Sequence, residues 1–417
     1  MATLAINGGE RAAGTFHVPE WPRLTDADRQ AVIDVLDGKE WGRLYPNSRA
    51  EQFERAFAAY HDAKHGIVVA NGTVAIELAL LATRIRPGDE VLVPALTFIA
   101  SASAIVRVGA IPIFVDMEPD AGSVSAAAVE AAITPRTRAI VVVHYGGYPV
   151  DLDAIGAIAE RHNLVLIEDC AHAQGTAWRG RKVGAIGDIG TFSFQQSKAL
   201  SSGEGGIVIT NDDAVAEQAV LLHNIGRVPG KPGYEHVVLA SNYRIGEFQA
   251  ALLCSALGRL QEEVERRQEH GRFLVDELER LGGLSGLRRD ERITQRGYYF
   301  LVLHYHPEAF EGLSRDRFVR ALQAEGVPCS DGYRVPLYRQ PAFRREAVLP
   351  LYPEELHDRI PVYEELNLAE AERFSQEVVT IPHPVLLAER VDLERIVDAV
   401  AKIKTNVDEL LTAGRPA

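Results

Sequence analysis

The stretch Phe192-Ser193-Phe194-Gln195-Gln196-Ser197-Lys198 is followed at once by Ala199-Leu200-Ser201-Ser202-Gly203-Glu204-Gly205-Gly206. A short apolar run ends in small and polar residues, a single lysine stands alone, and glycines come next. Lysine is normally a solvated surface charge, but the neighbours of Lys198 carry no charge until Glu204. An ammonium group among uncharged residues loses solvation, which lowers its pKa and makes the amine a usable nucleophile. That environment suits a Schiff-base lysine.

On both sides of this stretch, apolar strand patterns alternate with helical ones. Near-continuous runs of Val, Ile and Leu that alternate with helices indicate an α/β fold with a mostly parallel sheet covered on both faces. The strand candidates are Glu90–Val93, Ile111–Val115, Ala139–Val143, Leu164–Ile167, Thr191–Phe194 and Ile207–Thr210. Helical patterns fall at Ala100–Val108, Ala126–Ala132 and Leu152–His162.

The pattern changes after Asn242-Tyr243-Arg244. Gly246–Leu281 has the periodicity of one or two long amphipathic helices. A strand pattern at Tyr298–Tyr305 and helices at Arg315–Glu325 and Leu393–Leu411 follow. We therefore expect a large domain over residues 1–255, with an N-terminal arm, and a smaller α+β domain over residues 256–417.

Composition excludes several classes of protein. The 417 residues carry a formal net charge of −14 without a block of Lys and Arg, which argues against nucleic-acid binding. No apolar run is long enough to span a bilayer, and the N-terminus has no secretory pattern, so no membrane partner is expected. Three widely spaced cysteines, Cys170, Cys254 and Cys329, suggest neither a disulfide framework nor a CxxC metal pair. These features predict a cytoplasmic protein without a metal.

Three predicted strand ends carry residues suited to ligand binding, and ligands in open α/β sheets sit outside the carboxyl ends of the strands. Asn71-Gly72-Thr73-Val74 opens a helix whose free amides can bind an anion. Asp169 ends an apolar strand, and Ser193 and Lys198 can face the same cleft. Each feature also has an ordinary structural explanation: a glycine helix cap, a solvated strand end or a surface lysine.

Together these residues provide what is needed to hold pyridoxal 5′-phosphate. A helix N-terminus with hydroxyls binds the phosphate, a carboxylate keeps the pyridine nitrogen protonated, and a lysine forms the Schiff base. Asp169 and Lys198 are 198 − 169 = 29 positions apart, enough for one crossover between neighbouring strands. The glycines of Gly184–Gly190 do not form GxGxxG, and Cys170 with His172 makes no complete metal site.

The same residues resemble, in order along nearly the whole chain, the DegT/DnrJ/StrS family of sugar aminotransferases. The resemblance implies the type I, aspartate-aminotransferase-like fold, pyridoxal phosphate as cofactor, and a homodimer with shared active sites. The motifs that carry it are Ala70–Thr73, Pro94–Phe98, Val115-Asp116, Thr134–Thr137, Val143-His144, Ile167–His172, Phe192–Phe194, Lys198, Gly203–Gly206 and Ser241–Arg244.

The resemblance also implies a role for each matching position. Lys198 would form the Schiff base, Asp169 would pair with the pyridine nitrogen, and Phe98 would stack on the ring. Thr73, the backbone of Gly72 and Val74, and Ser193 match phosphate ligands. Asn242 matches an asparagine that reaches the phosphate of the other subunit, and His172 falls where the family has His or Gln beside the ring. Val74 is bulkier than the usual residue, and Phe98 replaces a tryptophan of several members.

Four segments look most similar to the aminocyclitol and 3-amino-5-hydroxybenzoate synthase branch of the family: Gln195–Lys198, Ser241–Gln249, Tyr333–Phe343 and Thr380–Leu387. Members of that branch aminate ketocyclitols with glutamine as donor, whereas ordinary members mostly use glutamate and a nucleotide-linked keto sugar. The resemblance therefore implies transfer of an amino group from glutamine or glutamate to a keto sugar or ketocyclitol, in the biosynthesis of an amino sugar or aminocyclitol.

Alternatives remain open at this stage. One is an aminotransferase acting on a nucleotide-linked keto sugar. A dehydratase or a desulfurase-like lyase is another, although related dehydratases carry histidine in place of the lysine and a desulfurase would need Cys329 as its nucleophile. A non-catalytic binding protein with the same fold is the last.

Overall fold

A computed structural model describes residues 3–14, 16–228 and 234–412. Its centre is a seven-stranded sheet in the order β1-β9-β8-β5-β4-β2-β3. The strands are β1 (His65–Val69), β2 (Glu90–Pro94), β3 (Ile111–Val115), β4 (Thr137–Val143), β5 (Val165–Asp169), β8 (Ile189–Ser193) and β9 (Gly206–Thr210). Two short strands, β6 (Ala177–Trp178) and β7 (Arg181–Lys182), lie in the connection between β5 and β8.

The sheet is mixed rather than wholly parallel. β2, β3, β4, β5 and β8 pair in parallel, whereas β9 runs antiparallel to both β1 and β8. The carboxyl ends of β1, β5 and β8 therefore meet at one edge. Alternate residues of a strand point to opposite faces, so Val91 and Val93 pack in one buried cluster while Leu92 packs in the other.

Helices cover both faces of this sheet. They are α1 (Asp26–Gly38), α2 (Arg49–Tyr60), α3 (Gly72–Ala82), α4 (Ala100–Arg107), α5 (Ala126–Ala132), α6 (Leu152–His162) and α7 (Asp213–His223). Side-chain caps fix several of their starts: Thr25 accepts from the amide of Asp28 in a capping box, and Asn71 accepts from that of Val74.

A single long helix, α8 (Glu247–Leu281), follows the central sheet. Its 35 residues span about 52 Å at the usual rise of 1.5 Å per residue. The predicted domain boundary near residue 255 falls inside this unbroken helix. The division into 1–255 and 256–417 therefore stays a prediction, with α8 belonging to both parts.

The C-terminal part surrounds a three-stranded antiparallel sheet in the order β10-β12-β13. Its strands are β10 (Leu284–Gly286), β12 (Phe300–Tyr305) and β13 (Val378–Pro382), while β11 (Ile293–Gln295) pairs with β6. The helices are α9 (Arg315–Ala324), α10 (Arg345–Val348), α11 (Ala369–Glu377), α12 (Arg390–Thr405) and α13 (Asp408–Thr412). A third buried cluster, which includes Leu274, Leu301 and Ile396, forms its core.

The α/β class and the predicted strands of the central sheet are confirmed, with small differences at their ends. Two details were wrong. The sequence pattern predicted one final helix over Leu393–Leu411, but Asn406 ends α12 with non-helical backbone angles and α13 begins at Asp408. No strand was assigned at Val378–Pro382, which forms β13.

Candidate active site

The edge where β1, β5 and β8 end opens into a cavity of about 560 Å³, here called the inner cavity. It brings together eight of the nine residues that the sequence predicts for the site. They are Gly72, Thr73, Val74, Phe98, Asp169, His172, Ser193 and Lys198. Their convergence follows from topology, because α3 begins just after β1 and Lys198 lies just after β8, next to β5.

Lys198 lies at the wall of the inner cavity and is only 9% exposed. Burial lowers its pKa from the usual value to about 8, and the negative charge of Asp169 opposes that shift. Its Nζ lies over the ring of Tyr299, 4.2 Å from the ring centroid. The lowered pKa has the direction that the uncharged sequence context predicts, and it leaves a substantial fraction of free amine near neutral pH.

Asp169 ends β5 and is buried. Burial raises the pKa of its carboxyl group, and two hydrogen bonds oppose that effect. Ser101 Oγ donates to Oδ2 at 2.8 Å, and the amide of Ala171 donates to Oδ1 at 3.1 Å. These donors fix the orientation of the carboxylate, so a cationic partner inside the cavity would meet a preoriented negative charge.

The start of α3 forms a compact anion cradle with Ser193. A Cβ atom on Gly72 would lie 2.6 Å from Ser193 Cβ, so only glycine allows this close approach. Gly72 and Thr73 are the first two residues of α3, and amides at these positions have no intrahelical acceptor. The amide of Val74 differs from expectation, because it donates to Asn71 Oδ1 at 3.0 Å. The cradle therefore offers two backbone amides and two hydroxyls.

His172 is buried beside the same cavity. Burial and the charge of Lys198 hold its pKa well below the usual range, so the imidazole is neutral. Its Nδ1 accepts from the amide of Gly146 at 3.4 Å, which leaves the hydrogen on Nε2. The imidazole stacks on the ring of Tyr299 with centroids 4.2 Å apart.

Asn242 is the predicted site residue that does not line the inner cavity. It is exposed, and its Oδ1 accepts from the amide of Arg244 at 3.2 Å. By contrast Phe98 does line the cavity and exposes 54% of its surface there, which is unusual for a phenylalanine. An exposed aromatic ring at a cavity wall can stack on a flat ligand.

A second cavity of about 700 Å³, here called the outer cavity, adjoins the inner one. Gln195, Ser197, Tyr299 and Tyr333 line both. None of the described residues that line the outer cavity is Asp, Glu, Lys or Arg. They are Trp21, Gln195, Gln196, Ser197, Tyr299, Phe300, Pro328, Cys329, Ser330, Gly332, Tyr333, Thr380, Pro382, His383 and Pro384.

Comparison with known proteins identifies this arrangement. The model of the DegT/DnrJ/EryC1/StrS aminotransferase family matches residues 22–401. The chain belongs to this family. It is therefore an aminotransferase, and the predicted family and type of activity are confirmed.

Individual relatives cover almost the whole chain. An L-glutamine:2-deoxy-scyllo-inosose aminotransferase of Streptoalloteichus tenebrarius is 39% identical, over 98% of this chain and 99% of its own. A 3-amino-5-hydroxybenzoate synthase of Amycolatopsis mediterranei is 36% identical, over 92% and 97%. The crystal structure of a 3-amino-5-hydroxybenzoic acid synthase has a TM-score of 0.83 at 34% identity, over 93% and 98%. The predicted type I aminotransferase fold is confirmed by this likeness.

The sequence indicated no role for Ser101 or Tyr299, and it pointed to Tyr333 only as the first residue of the segment Tyr333–Phe343. Ser101 lies in α4, 68 positions before the carboxylate that it orients, and both tyrosines come from the C-terminal part. A serine in a helix and single tyrosines near a strand have no sequence signature of their own. Only the packing of the C-terminal part against the sheet edge brings them to the cavity.

Proposed function

We propose that this aminotransferase uses pyridoxal 5′-phosphate to move an amino group from L-glutamine to a ketocyclitol. The observation that carries the proposal is an uncharged outer cavity that shares four lining residues with the inner cavity, where Lys198 lies. A polyol ring needs hydroxyl and amide partners, which Gln195, Ser197 and Ser330 provide. The diphosphate of a nucleotide-linked sugar is usually bound by Arg or Lys, and the described lining has neither. The names of the relatives agree with this choice.

The residues of the inner cavity fit the cofactor. The cradle of Gly72, Thr73 and Ser193 suits the phosphate, since it combines free amides, hydroxyls and space that a Cβ would fill. Asp169 suits the protonated ring nitrogen, and the exposed ring of Phe98 suits the cofactor ring. When bound, pyridoxal phosphate supplies an aldehyde that captures amines and a ring that accepts the electrons of a Cα–H bond.

Lys198 would act in two ways. Its amine anchors the cofactor between turnovers, and once released it takes the proton from Cα of the amino donor. It gives that proton up before the first half ends, and in the second half it accepts another proton and delivers it to the carbon that receives nitrogen. A pKa of about 8 suits both tasks, because about a tenth of the side chain is free amine at pH 7, far more than in an ordinary lysine.

Asp169 and His172 have supporting roles in this proposal. The Asp169 carboxylate, oriented by Ser101, would keep the ring nitrogen protonated. His172 is neutral and carries its hydrogen on Nε2, so it would donate a hydrogen bond beside the ring rather than add a second positive charge.

We also propose a homodimer in which Asn242 completes the phosphate site of the partner. Asn242 follows a segment whose apolar side chains are exposed, including Tyr234 at 83% and Leu239 at 102%. Trp41 and Leu44 add further exposed apolar surface at 51% and 60%. The bridge between Gly42 and Gly246 places these two segments side by side, and neighbouring exposed apolar surface is typical of protein interfaces.

The properties of Cys329 argue against the desulfurase-like lyase, which would need this residue as its nucleophile. Cys329 is buried, burial raises its pKa to about 12, and its Sγ donates to Val319 O at 3.8 Å. Such a thiol is poorly ionised and unsuited to attack sulfur.

No helix among the described residues is long and apolar enough to cross a membrane. Three unpaired cysteines support the expected cytoplasmic setting.

The experiment is a pair of single-turnover titrations. Cofactor-loaded protein is mixed with L-glutamine or L-glutamate, and loss of the absorbance of the lysine-linked cofactor is followed. The aminated form is then mixed with 2-deoxy-scyllo-inosose or a nucleotide-linked 4-keto sugar. We expect conversion by glutamine and recovery with the ketocyclitol. Recovery only with the nucleotide-linked sugar would contradict the proposed acceptor.

A further inference from the structure

Tyr299 occupies the boundary between the inner and outer cavities and contacts three groups of the site. Lys198 Nζ lies 4.2 Å from its ring centroid, and the imidazole of His172 stacks on the same ring. Its hydroxyl lies 2.8 Å from Ser197 Oγ, which donates to Gln195 Oε1 at 2.7 Å. The orientation of the ring is thus fixed by a stacking contact and by a hydrogen-bonded chain.

The Lys198 amine has no hydrogen bond or ion pair among the described residues. Its direct contact there is with the face of Tyr299, while the charge of Asp169 acts on it without forming an ion pair. An aromatic face attracts an ammonium ion through its quadrupole and attracts a neutral amine much less. The ring consequently favours the protonated form of an amine that burial otherwise pushes towards neutrality.

We propose that Tyr299 holds the released Lys198 side chain at the boundary of the two cavities and stabilises the ammonium form that it takes, in each half of the reaction, after it has accepted a proton and before it returns that proton. The inference rests on the proposed function, which requires the amine to leave the cofactor, wait within reach and return. Without this contact the free Lys198 side chain would sample many rotamers of its four-carbon chain. The contact with Tyr299 keeps the amine inside the inner cavity, where it would accept and return the proton.

Other ionisable groups around Lys198 do not supply such a contact. Asp169 favours the ammonium through its charge but forms no ion pair with it. Burial keeps the pKa of both His172 and His383 well below the usual range, so these two rings are neutral. Burial raises the pKa of the Tyr333 hydroxyl, which is therefore neutral as well.

The test measures the pKa of Lys198 in cofactor-free protein, so it does not depend on turnover. Lysines are labelled briefly with acetic anhydride over a range of pH. The labelling of the Lys198 peptide is then quantified by mass spectrometry, with the exposed Lys39 as internal reference. Tyr299→Phe keeps the aromatic face and loses only the hydroxyl. Tyr299→Leu and Tyr299→Met both remove the face and leave an apolar side chain, one branched and one unbranched.

We expect Tyr299→Phe to leave the Lys198 pKa within about 0.3 unit, and both aliphatic variants to lower it by about one unit, a tenfold change in the ratio of ammonium to amine. An unchanged or raised pKa in a folded aliphatic variant would overturn the proposal. An equal fall in Tyr299→Phe would also overturn it, because the hydroxyl rather than the ring would then be responsible. If the proposed substrates are wrong, wild-type titrations fail while this pKa pattern is unaffected.

Discussion

At the scale of single residues, the site depends on close approaches that only particular side chains permit. Ser193 can stand beside the start of α3 because residue 72 has no Cβ. Burial raises the pKa of Asp169, and hydrogen bonds from Ser101 and Ala171 oppose that rise and orient the carboxyl group. Each of these contacts places a functional group within the cradle or opposite the proposed ring nitrogen.

Gly72→Ala should therefore reduce cofactor affinity. The new methyl group would meet Ser193 Cβ at 2.6 Å, and it can be accommodated only if α3 or β8 moves away. We expect the dissociation constant for pyridoxal phosphate, measured by fluorescence titration, to rise at least tenfold, which corresponds to about 1.4 kcal/mol.

Gly156→Ala is the matched control for that substitution. Gly156 lies inside α6, and a Cβ built there meets nothing within 4 Å. Alanine is favoured over glycine in a helix by about 1 kcal/mol, so this variant should melt slightly higher than the parent and bind the cofactor normally. Equal cofactor affinity in the two variants would show that the cradle does not need its glycine.

At the scale of elements, hydrogen bonds to a buried carboxylate hold the connection between β5 and β8 in place. Glu168, which precedes Asp169, accepts from the amides of Gly184, Ile186 and Gly187 and from His144 Nε2. Despite its burial, these donors hold the pKa of Glu168 below its usual range. His144, Glu168 and Cys170 lie close enough together to suggest a metal site. Because the Glu168 oxygens already accept these hydrogen bonds, we interpret the cluster as a structural anchor for the strand that ends in Asp169.

Glu168→Gln should destabilise the fold and change its dependence on pH. The folded pKa of Glu168 is lowered, so its contribution to stability is complete above the unfolded value of about 4.3 and is lost as pH falls through the folded value. The variant should lose about 3 kcal/mol at pH 7, since an amide cannot satisfy the three backbone donors and His144 together. Its stability should then fall less steeply than that of the parent below pH 5.

Urea unfolding at several pH values measures this effect. Glu160→Gln provides the control, because Glu160 is exposed in α6 and its change should stay within about 0.5 kcal/mol. The anchoring role would be disproved if the Glu168→Gln protein had the same unfolding free energy as the parent at pH 7 and the same dependence of that free energy on pH below pH 5.

The central strands could be predicted from sequence because each is a short, unbroken run of mostly branched apolar residues, a pattern typical of a buried strand. Other elements carry no such signal. The strand β13 (Val378–Pro382) was missed since one five-residue apolar run near a proline looks like loop. The antiparallel direction of β9 depends on its pairing with β1 and β8, which only the folded sheet defines.

At the scale of the whole molecule, one described chain accounts for eight of the nine predicted site residues and leaves Asn242 outside. The sequence motifs show the residue types needed for the chemistry, whereas Tyr299 and the uncharged outer cavity arise from packing between the C-terminal part and the sheet edge. Three segments singled out in the sequence, Gln195–Lys198, Tyr333–Phe343 and Thr380–Leu387, do contribute to the outer cavity. The sequence could not show that they meet there, because the last two lie more than 100 positions from Lys198.

A shared active site predicts complementation between two inactive proteins. In a mixed dimer of Lys198→Ala and Asn242→Ala chains, one site carries both substitutions and the other carries neither. Random pairing of co-expressed chains makes half of the dimers mixed, so about a quarter of the sites should regain the parental composition. Activity of the mixture that merely equals the average of the two parents would contradict a shared site.

The central claim is that Lys198 holds pyridoxal phosphate, and the most direct test locates the attachment. Cofactor-loaded protein is reduced with borohydride, digested and analysed by mass spectrometry, with Lys198→Ala protein treated in parallel. The account predicts a phosphopyridoxyl group on the peptide that contains Lys198 and none on any peptide of the variant. Attachment at another lysine in the wild-type protein, or no attachment at all, would contradict it.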